Sequence, residues 1–333
     1  MRIYNLALLG FGNVNRALVR LLEGKKQELN QRGIAWRITG IASRRLGWIA
    51  SESGLESSAL LAGEIPASPH QRDVMDWLQA SRADVVFEAT SLNPEDGQPA
   101  IAHIRAALEH GAHAITANKG PVVYAYEELR DLAHAGGKKF YFESTVMDGI
   151  PIFSLFRDGL PLIELRGLHG ILNSTTNVIL SSMEQGLSFA AALKKAQEIG
   201  VAETDATHDI EGWDAAVKVA ALVRVLMGVS LLPREIQREG IAHLTPAQVR
   251  AARQEGKPFK LVCRAQRSGH GVRASVRPEQ VPLSDPMAWV EGTSSIVTLH
   301  TDIFPCLTIT ETDPGVEATA YGMLSDFVQA VEG

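Results

Sequence analysis

An acidic run in the second half of the sequence leads into an apolar helix and carries the strongest signal for chemistry. Asp214 and Lys218 lie four positions apart, which places them on one helical face. Residues 215–227 are apolar on nearly every side of this helix, so we expect Lys218 to be at least partly buried. Burial lowers the pKa of a lysine and a neighbouring carboxylate raises it, so the pair can hold an ammonium that releases a proton. Such a group is a general acid for a developing alkoxide.

Two simpler interpretations of the same run compete with catalysis. The first is a surface ion pair between Asp214 and Lys218, which contributes little to stability. The second is a cage for a divalent metal, because clusters of carboxylate oxygens bind hard cations. The spacing matches no calcium loop, and the buried lysine would repel a cation. The carboxylates of such a cage would be Glu203, Asp205, Asp209, Glu211 and Asp214.

A glycine turn near the N-terminus predicts a dinucleotide cofactor. The run Gly10-Phe11-Gly12-Asn13-Val14-Asn15 follows a predicted strand and opens a predicted helix. Gly10 allows a tight turn, Gly12 lets the backbone approach a pyrophosphate, and the helix N-terminus favours its negative charge. Asn15 stands where a third glycine normally permits close packing, so we expect this helix to lie slightly further from the strand.

Two arginines follow the second predicted strand, where an NAD-selective site usually carries an acidic residue. Arg44 and Arg45 suit the 2′-phosphate of NADP instead, because a guanidinium pairs with phosphate oxygens in a bidentate manner. The alternative is a solvated basic loop. The sequence therefore favours NADP, with NAD also accepted.

Lys119 follows another predicted strand, Ala112 to Ala117. Ligands of open parallel sheets bind beyond the carboxyl ends of the strands, so a lysine at this point can meet both substrate and nicotinamide. Taken alone, the residue could equally be an exposed lysine in a turn.

The elements that must position these residues fall into two groups. Residues 1–142 alternate strands and helices, which predicts a doubly wound parallel sheet of the Rossmann type, completed by an amphipathic helix within 312–333. Residues 143–311 alternate less regularly and predict an α+β domain for substrate binding, catalysis and dimerisation. Within it, residues 265–287 are rich in Pro, Ser, Arg and Gly and indicate loops and edges.

Composition excludes several function classes. The formal net charge of −6 gives no electrostatic footprint for nucleic acid. The two cysteines are too few for a disulfide framework and fit a reducing, cytoplasmic compartment. The N-terminal apolar run is too short for a secretory signal, and no apolar stretch is long enough to span a membrane. We therefore expect a soluble protein acting on a small molecule.

The glycine turn, Ala117-Asn118-Lys119 and the acidic run ending in Asp214 and Lys218 together resemble the homoserine dehydrogenase family in order and spacing. The resemblance extends over almost the whole chain. Further matching segments are Glu88-Ala89-Thr90, Asp96 to Ala100, Gly170 to Asn173, Thr176 to Leu180, and Gly315 to Asp326.

The resemblance implies a homodimer that transfers a hydride between a nicotinamide and the carbon of aspartate semialdehyde. Lys218 would give the proton, and Lys119 would position the substrate and contact the cofactor. Glu203 and Asp214 match positions that hold homoserine. Positions lining the dinucleotide are matched by Thr90, Ser91, Gly200 and Gly315.

The segment 143–151 looks like the hinge of this family, which binds a monovalent cation such as sodium through one carboxylate and backbone carbonyls. The alternative is a plain interdomain turn, and Met147 departs from the usual glycine-rich pattern. The matching ligand positions are Glu143, Val146, Asp148 and Ile150.

Departures from the family pattern leave two rival functions open. Ser174 and the pair Asp313-Pro314 replace residues of usual family turns, which could alter loop geometry or substrate choice. One rival is a related oxidoreductase acting on another amino-acid aldehyde or on an imine. The other is an NADP-binding sensor without catalysis, although Lys119 and Lys218 both stand in place. We expect no regulatory domain after the final helix.

Overall fold

The computed structural model describes residues 2–65, 71–269 and 271–333. The chain divides into two compact units, the first formed by Met1–Ser154 with Gly315–Gly333 and the second by Leu155–Pro314. In the described residues no helix combines the length and the apolar character needed to cross a membrane.

The first unit is a doubly wound sheet, as predicted. Its central strand is apolar along most of its length because helices cover both faces of such a sheet, and Leu6 and Leu8 are fully buried. The sheet order is β3-β2-β1-β4-β5-β6, with every pair parallel except β2 and β3. Its strands are β1 (Arg2–Leu9), β2 (Ile34–Ser43), β3 (Gly47–Leu55), β4 (Val85–Glu88), β5 (His113–Thr116) and β6 (Phe140–Tyr141).

The helices of this unit include the predicted C-terminal helix, which packs in the core of the first unit. Phe327 of that helix is fully buried and its ring contacts the edges of Tyr4 and Phe87. The helices are α1 (Asn13–Gly24), α2 (Lys26–Gln31), α3 (Ser57–Ala62), α4 (Val74–Ser81), α5 (Ala100–His110), α6 (Lys119–Ala135) and α12 (Val316–Glu332).

The second unit combines helices with a mixed sheet of order β12-β11-β7-β9-β10-β8, in which only β10 and β8 are parallel. Its helices are α7 (Ser174–Glu184), α8 (Phe189–Glu198), α9 (Thr207–Ile210), α10 (Trp213–Met227) and α11 (Pro246–Gln254). Its strands are β7 (Leu165–Ile171), β8 (Gln237–Arg238), β9 (Phe259–Ser268), β10 (Gly271–Gln280), β11 (Ser295–Thr301) and β12 (Leu307–Glu311).

The expectation of loops in residues 265–287 was wrong for most of the segment, because β9 and β10 form a long antiparallel hairpin there. The expectation of an edge is closer, since β10 lies next to the two-residue strand β8 at one end of the sheet and pairs with it at Ser275 and Val276. Ala274 and Val276 are buried while Arg273 and Arg277 are exposed. The alternation of buried and exposed residues is present, but polar residues on the exposed face and glycines beside the turn conceal it in the composition.

The antiparallel strand β3 was not predicted. The chain also passes from one unit to the other at residues that differ from the expected domain boundaries. The first unit continues to Ser154 rather than ending at 142. The ring of Phe142 lies 4.9 Å from that of Phe153, and the Glu143 carboxylate accepts hydrogen bonds from the backbone amides of Phe153 and Ser154. The second unit ends at Pro314, whereas the expected boundary was residue 311.

Candidate active site

The glycine turn has the geometry that a dinucleotide site requires. Gly10 has a φ of +84°, and a Cβ at this position would lie 2.5 Å from the carbonyl oxygen of Ala89, so only glycine fits. Gly12 caps α1, and a Cβ there would meet no described atom within 4 Å. The first turn of α1 carries no acidic side chain. The helix N-terminus therefore favours an anion at the open side of Gly12.

Asn15 fills the space between the turn and the sheet that a third glycine would leave. Its side chain is fully buried, and its amide donates hydrogen bonds to the carbonyl oxygens of Leu9 (3.2 Å) and Gly10 (2.9 Å). The departure from the glycine pattern thus ties the turn to the end of β1.

A cleft of about 880 Å³ opens at the carboxyl ends of β1, β2 and β4 in the first unit. The glycine turn forms its floor, Arg44 and Arg45 lie exposed in the turn between β2 and β3, and Thr90 and Ser91 follow β4. Most of the predicted cofactor residues of the first unit therefore line one cavity. Side chains that the sequence did not single out also line it, namely Trp48, Asn93, Gln98, Pro99 and His103.

A buried network shapes the wall of this cleft and the start of α6. Glu88 is fully buried, and burial raises the pKa of its carboxyl group. It accepts hydrogen bonds from the Thr90 backbone amide (2.8 Å) and the Thr116 hydroxyl (2.6 Å). Asn118 caps α6 and donates to the carbonyl oxygen of Thr90 at 3.2 Å. Lys119 is then the first residue of α6, directly beyond β5, where ligands of such sheets bind.

In the second unit the predicted pair of Asp214 and Lys218 forms on the first turns of α10. Their side chains are 21% and 18% exposed, and the ammonium lies 3.1 Å from Asp214 Oδ2. The ammonium also donates to the carbonyl oxygen of Leu172 at 2.6 Å, at the end of β7. Lys218 is thus partly buried, charge-paired and still partly open to solvent.

Two residues that the sequence did not assign to the site complete this group. Asn173 is buried and caps α7, and its side-chain amide donates to Asp209 (2.7 Å) and Asp214 (3.0 Å). Burial and the charge of Asp214 raise the pKa of Asp209. The side-chain amide of Asn173 therefore joins the carboxylates of Asp209 and Asp214, and Asp214 is the one paired with Lys218. In the described residues no group of three or more His, Cys, Asp or Glu side chains is placed so that it could hold a metal ion.

Three further predicted residues lie on other segments of the chain. Glu203 is exposed in the loop after α8, and its backbone carbonyl accepts a hydrogen bond from Gln197. Gly200 begins the same loop with a φ of +77°. Gly315 belongs to the first unit, where it caps α12.

The predicted hinge is a strained turn with its carboxylates already engaged. Met147 and Asp148 both have positive φ, at 53° and 52°. The two oxygens of Glu143 accept backbone amides at 2.7 and 2.8 Å, and Asp148 accepts the hydroxyl of Thr319 at 2.7 Å. Val146 is fully buried, and the carbonyl of Ile150 accepts the amide of Ile152.

Comparison with known proteins identifies the family. Residues 10–143 match the model of the homoserine dehydrogenase NAD-binding domain, and residues 151–328 match the homoserine dehydrogenase model. An NAD(+)-dependent homoserine dehydrogenase of Pseudomonas canavaninivorans is 34% identical over 98% of this chain and 96% of its own.

Two solved structures agree with this assignment. A homoserine dehydrogenase from Thiobacillus denitrificans has a TM-score of 0.85 and 32% identity, covering 99% of this chain and 73% of its own. A hyperthermophilic archaeal homoserine dehydrogenase mutant in complex with NADPH has a TM-score of 0.83 and 25% identity, covering 99% and 98%. The chain belongs to the homoserine dehydrogenase family, whose members are NAD(P)-dependent oxidoreductases.

Proposed function

We propose that the chain interconverts L-aspartate 4-semialdehyde and L-homoserine, a step of threonine and methionine biosynthesis, with Lys218 as the proton donor in the reducing direction. The observation that carries the residue roles is the group of Asp209, Asp214 and Lys218 held together by Asn173. It combines a cation, two carboxylates and partial solvent access within one short stretch of structure.

The reduction needs one hydride and one proton. When bound, NAD(P)H would supply the hydride for the carbonyl carbon, and the carbonyl oxygen takes a proton to become the alcohol. Lys218 is suited to give that proton because Asp214 and the Leu172 carbonyl oxygen hold its ammonium in place. In the oxidising direction the same lysine, deprotonated, accepts the proton of the hydroxyl.

The amino-acid end of the substrate carries an ammonium that carboxylates can bind. We assign Glu203 and Asp214 to holding the substrate, one carboxylate binding its ammonium while the other orients its hydroxyl or Lys218. Asp209 supports Asp214 through the shared amide of Asn173. Lys119 is assigned to positioning the substrate and contacting the cofactor. The residues assigned to lining the dinucleotide are Gly10 to Val14, Thr90, Ser91, Gly200 and Gly315.

NADP is proposed as the preferred cofactor, with NAD also accepted. The support is the exposed pair Arg44 and Arg45 at the rim of the cleft. The names of relatives differ on this point, since one is called NAD(+)-dependent and another is a complex with NADPH. Replacing both arginines by alanine should weaken the binding of NADP about 10-fold or more and leave the binding of NAD nearly unchanged.

The Kd values of NADP and NAD, measured by titration calorimetry, test this assignment. Arg20→Ala, an exposed arginine of α1 outside the cleft lining, controls for the loss of one surface charge. Equal weakening of both cofactors by the double substitution would refute the contact with the 2′-phosphate.

The reaction itself is tested by homoserine-dependent formation of the reduced nicotinamide, followed by absorbance with each cofactor separately. Turnover with homoserine that disappears in Lys218→Ala supports both the substrate and the proton donor. A folded protein that binds NADP but turns over neither homoserine nor the semialdehyde would overturn the proposal in favour of another substrate or a sensor.

A monovalent cation such as sodium at the hinge is a further part of the proposal. The supporting chemistry is a set of oxygen donors, the Glu143 carboxylate with the backbone carbonyls of Val146, Asp148 and Ile150. The two amides bound to Glu143 leave further lone pairs on its oxygens. We expect sodium chloride to raise the melting temperature more than choline chloride of equal strength, and an equal rise would contradict the site.

We also infer a homodimer in a reducing, cytoplasmic compartment. The strand β12 lies at the edge of the second sheet and alternates exposed and partly buried residues, so it can pair with a second copy. Light scattering coupled to size exclusion tests the dimer. A monomeric mass at micromolar concentration would contradict it.

A further inference from the structure

A separate cluster of reactive side chains lies on the sheet of the second unit and contains none of the residues assigned to the reaction. It consists of His169 of β7, His300 of β11 and Cys306, the last residue before β12. Nδ1 of His169 lies 2.9 Å from Nε2 of His300. Sγ of Cys306 lies 3.8 Å from Nδ1 of His300, within hydrogen-bonding distance for sulfur. The thiol and the two imidazoles therefore form one continuous chain of polar contacts.

The groups around the His300 ring can accept hydrogen bonds at both of its nitrogens. The carbonyl oxygen of Pro305 lies 2.7 Å from Nδ1, on the same side of the ring as the Cys306 sulfur. On the other side, burial and the charges of Arg264 and His300 lower the pKa of His169. His169 is therefore neutral at neutral pH, and its Nδ1 can accept from Nε2 of His300. When His300 takes up the proton of the Cys306 thiol, both of its N–H groups have acceptors.

The two cysteines of the sequence have different surroundings. Cys306 is exposed, whereas Cys263 of β9 is fully buried. Burial raises the pKa of the Cys263 thiol to about 12, so this thiol stays protonated at neutral pH. The thiolate is the nucleophilic form of cysteine, so a reagent in solution should distinguish the two residues. Cys263 thus serves as an unreactive reference within the same chain.

We propose that Cys306 is a site of reversible modification by small disulfide molecules, with His300 as the base that accepts its proton and His169 as the residue that positions His300. A cysteine nucleophile is activated by a base within hydrogen-bonding reach, which a third group orients in turn. The chain from Cys306 through His300 to His169 has this arrangement on an exposed turn. The inference does not depend on the proposed reaction.

The modification is a thiol–disulfide exchange. The thiol proton passes to His300, and the sulfur of Cys306 attacks one sulfur of the small disulfide. A new S–S bond forms to Cys306, the S–S bond of the small disulfide breaks, and its second sulfur leaves as a thiolate that takes the proton from His300. Cys306 is oxidised and the small disulfide is reduced, so no further oxidant is needed. An excess of small thiol reverses the step.

The test is the rate at which the folded protein reacts with 4,4′-dithiodipyridine, an uncharged disulfide whose released thiol is followed by absorbance. One thiol per wild-type chain should react, and Cys306→Ser should react only after denaturant exposes Cys263. His300→Phe keeps an aromatic ring but removes the base. It should lower the second-order rate constant roughly 10-fold, because an unassisted cysteine is only a few per cent thiolate at pH 7. His243→Phe, which replaces an exposed histidine of the second unit, is the matched control.

Two variants of His169 separate positioning from packing. His169→Phe keeps a ring beside His300 but removes the acceptor, so the rate constant should fall a few-fold. His169→Asn offers Oδ1 as an acceptor near the position of Nδ1 and should restore most of the rate. Circular dichroism melting curves check that each variant is folded. A His169→Asn protein as slow as His169→Phe would overturn the positioning role.

Further outcomes decide the assignment of Cys306 itself. Equal rate constants for wild-type protein and folded His300→Phe would remove His300 as the base and overturn the proposal. After incubation with oxidised glutathione, mass spectrometry should show one glutathione per wild-type chain and none on Cys306→Ser, and reduced glutathione in excess should remove it. An unmodified wild-type chain would overturn the proposal. A disulfide between two chains in place of the adduct, seen on a non-reducing gel, would assign the thiol to a second copy and overturn it as well.

Discussion

One lysine of the second unit is fully buried and another is partly buried, and the surroundings of their ammonium groups differ. Lys260 of β9 is 0% exposed, and its ammonium donates to the carbonyl oxygen of Val290 (2.6 Å) and to Asn177 Oδ1 (3.3 Å). The Lys218 side chain is 18% exposed, and its ammonium lies 3.1 Å from Asp214. One lysine is closed within the core with neutral acceptors, and the other is charge-paired at an opening.

The comparison shows that burial alone does not identify a catalytic lysine. Desolvation lowers the pKa of Lys260, and the nearby charges of Glu184 and Glu291 oppose that shift. Its hydrogen bonds fix the Val290 carbonyl and the side chain of α7 residue Asn177, which is a structural task. Lys218 differs in having an adjacent carboxylate and access to solvent. These two features, more than depth, support the proposed role of Lys218 as proton donor.

The largest effect is expected from Lys218→Ala, which tests whether Lys218, unlike Lys260, acts in catalysis. It should lower kcat by roughly 1,000-fold or more, because general acid catalysis is typically worth 100- to 10,000-fold. The melting temperature and the Kd of NADP should stay close to the wild-type values. Lys194→Ala, an exposed lysine of α8, is the matched control. A Lys218→Ala enzyme retaining a tenth of wild-type kcat would remove Lys218 from the proton-donor role.

Lys260→Ala should have the opposite profile. It leaves the Val290 carbonyl and Asn177 Oδ1 without their shared donor and opens a cavity, so the free energy of unfolding should fall by about 3 kcal/mol. The kcat of the folded fraction should change by no more than a few-fold. Chemical denaturation and initial rates measured on the same samples check both expectations.

Lys260→Met provides the matched substitution for this lysine. It removes the ammonium but keeps most of the side-chain volume, so it should cost less stability than Lys260→Ala. A Lys260→Met protein that is fully stable but inactive would show that Lys260 acts in catalysis, and the distinction between the two lysines would fail.

The contrast between these lysines also explains what the sequence could and could not predict. Lys218 was predictable because its helix is apolar on nearly all sides and an acidic run precedes it, which are local signals. The burial of Lys260 depends on the position of β9 inside the sheet, flanked by β7 and β10. The continuation of that hairpin was concealed by a composition typical of loops.

The same division between local and nonlocal signals applies to the rest of the site. The glycine turn, the end of β5 and the pair on α10 are each encoded within a few residues. Asn173 joins Asp214 from 41 positions away, and nothing in its neighbourhood indicates this contact. Trp48 and His103 meet in the first unit only because β3 turns back beside β2, and that antiparallel strand was not predicted.

A smaller effect is expected from Asn173→Asp, which tests how strongly activity depends on the carboxylate charges beside Lys218. Aspartate keeps the cap of α7 but replaces the amide donor with a third negative charge beside Asp209 and Asp214. We expect kcat to fall roughly 10-fold and the acidic limb of the pH–rate profile to move to higher pH. Asn173→Ser keeps the cap without the charge and should not move that limb upward. Identical profiles for both variants would contradict the electrostatic role.

The smallest effect is expected from Asp209→Asn, and it appears in stability as well as rate. Burial and the Asp214 charge raise the pKa of Asp209 above its ordinary value of 3.8. A carboxyl group with a raised pKa in the folded state stabilises the fold below its unfolded pKa, and this contribution is lost as pH rises through the folded pKa. At neutral pH the wild-type protein therefore bears the cost of two adjacent charges, which asparagine removes.

Asp209→Asn should accordingly melt roughly 1 to 3 °C higher than wild type at pH 7. The gap should close as pH falls below the raised pKa and vanish below 3.8. Its Oδ1 can still accept from Asn173, so the change is in charge more than in shape. Lys218 loses one of its two nearby negative charges, and kcat should fall only a few-fold because Asp214 remains in contact. A constant difference in melting temperature at all pH values would show that Asp209 is not titrating, and the partnership of two carboxylates with one lysine would then reduce to the single pair on α10.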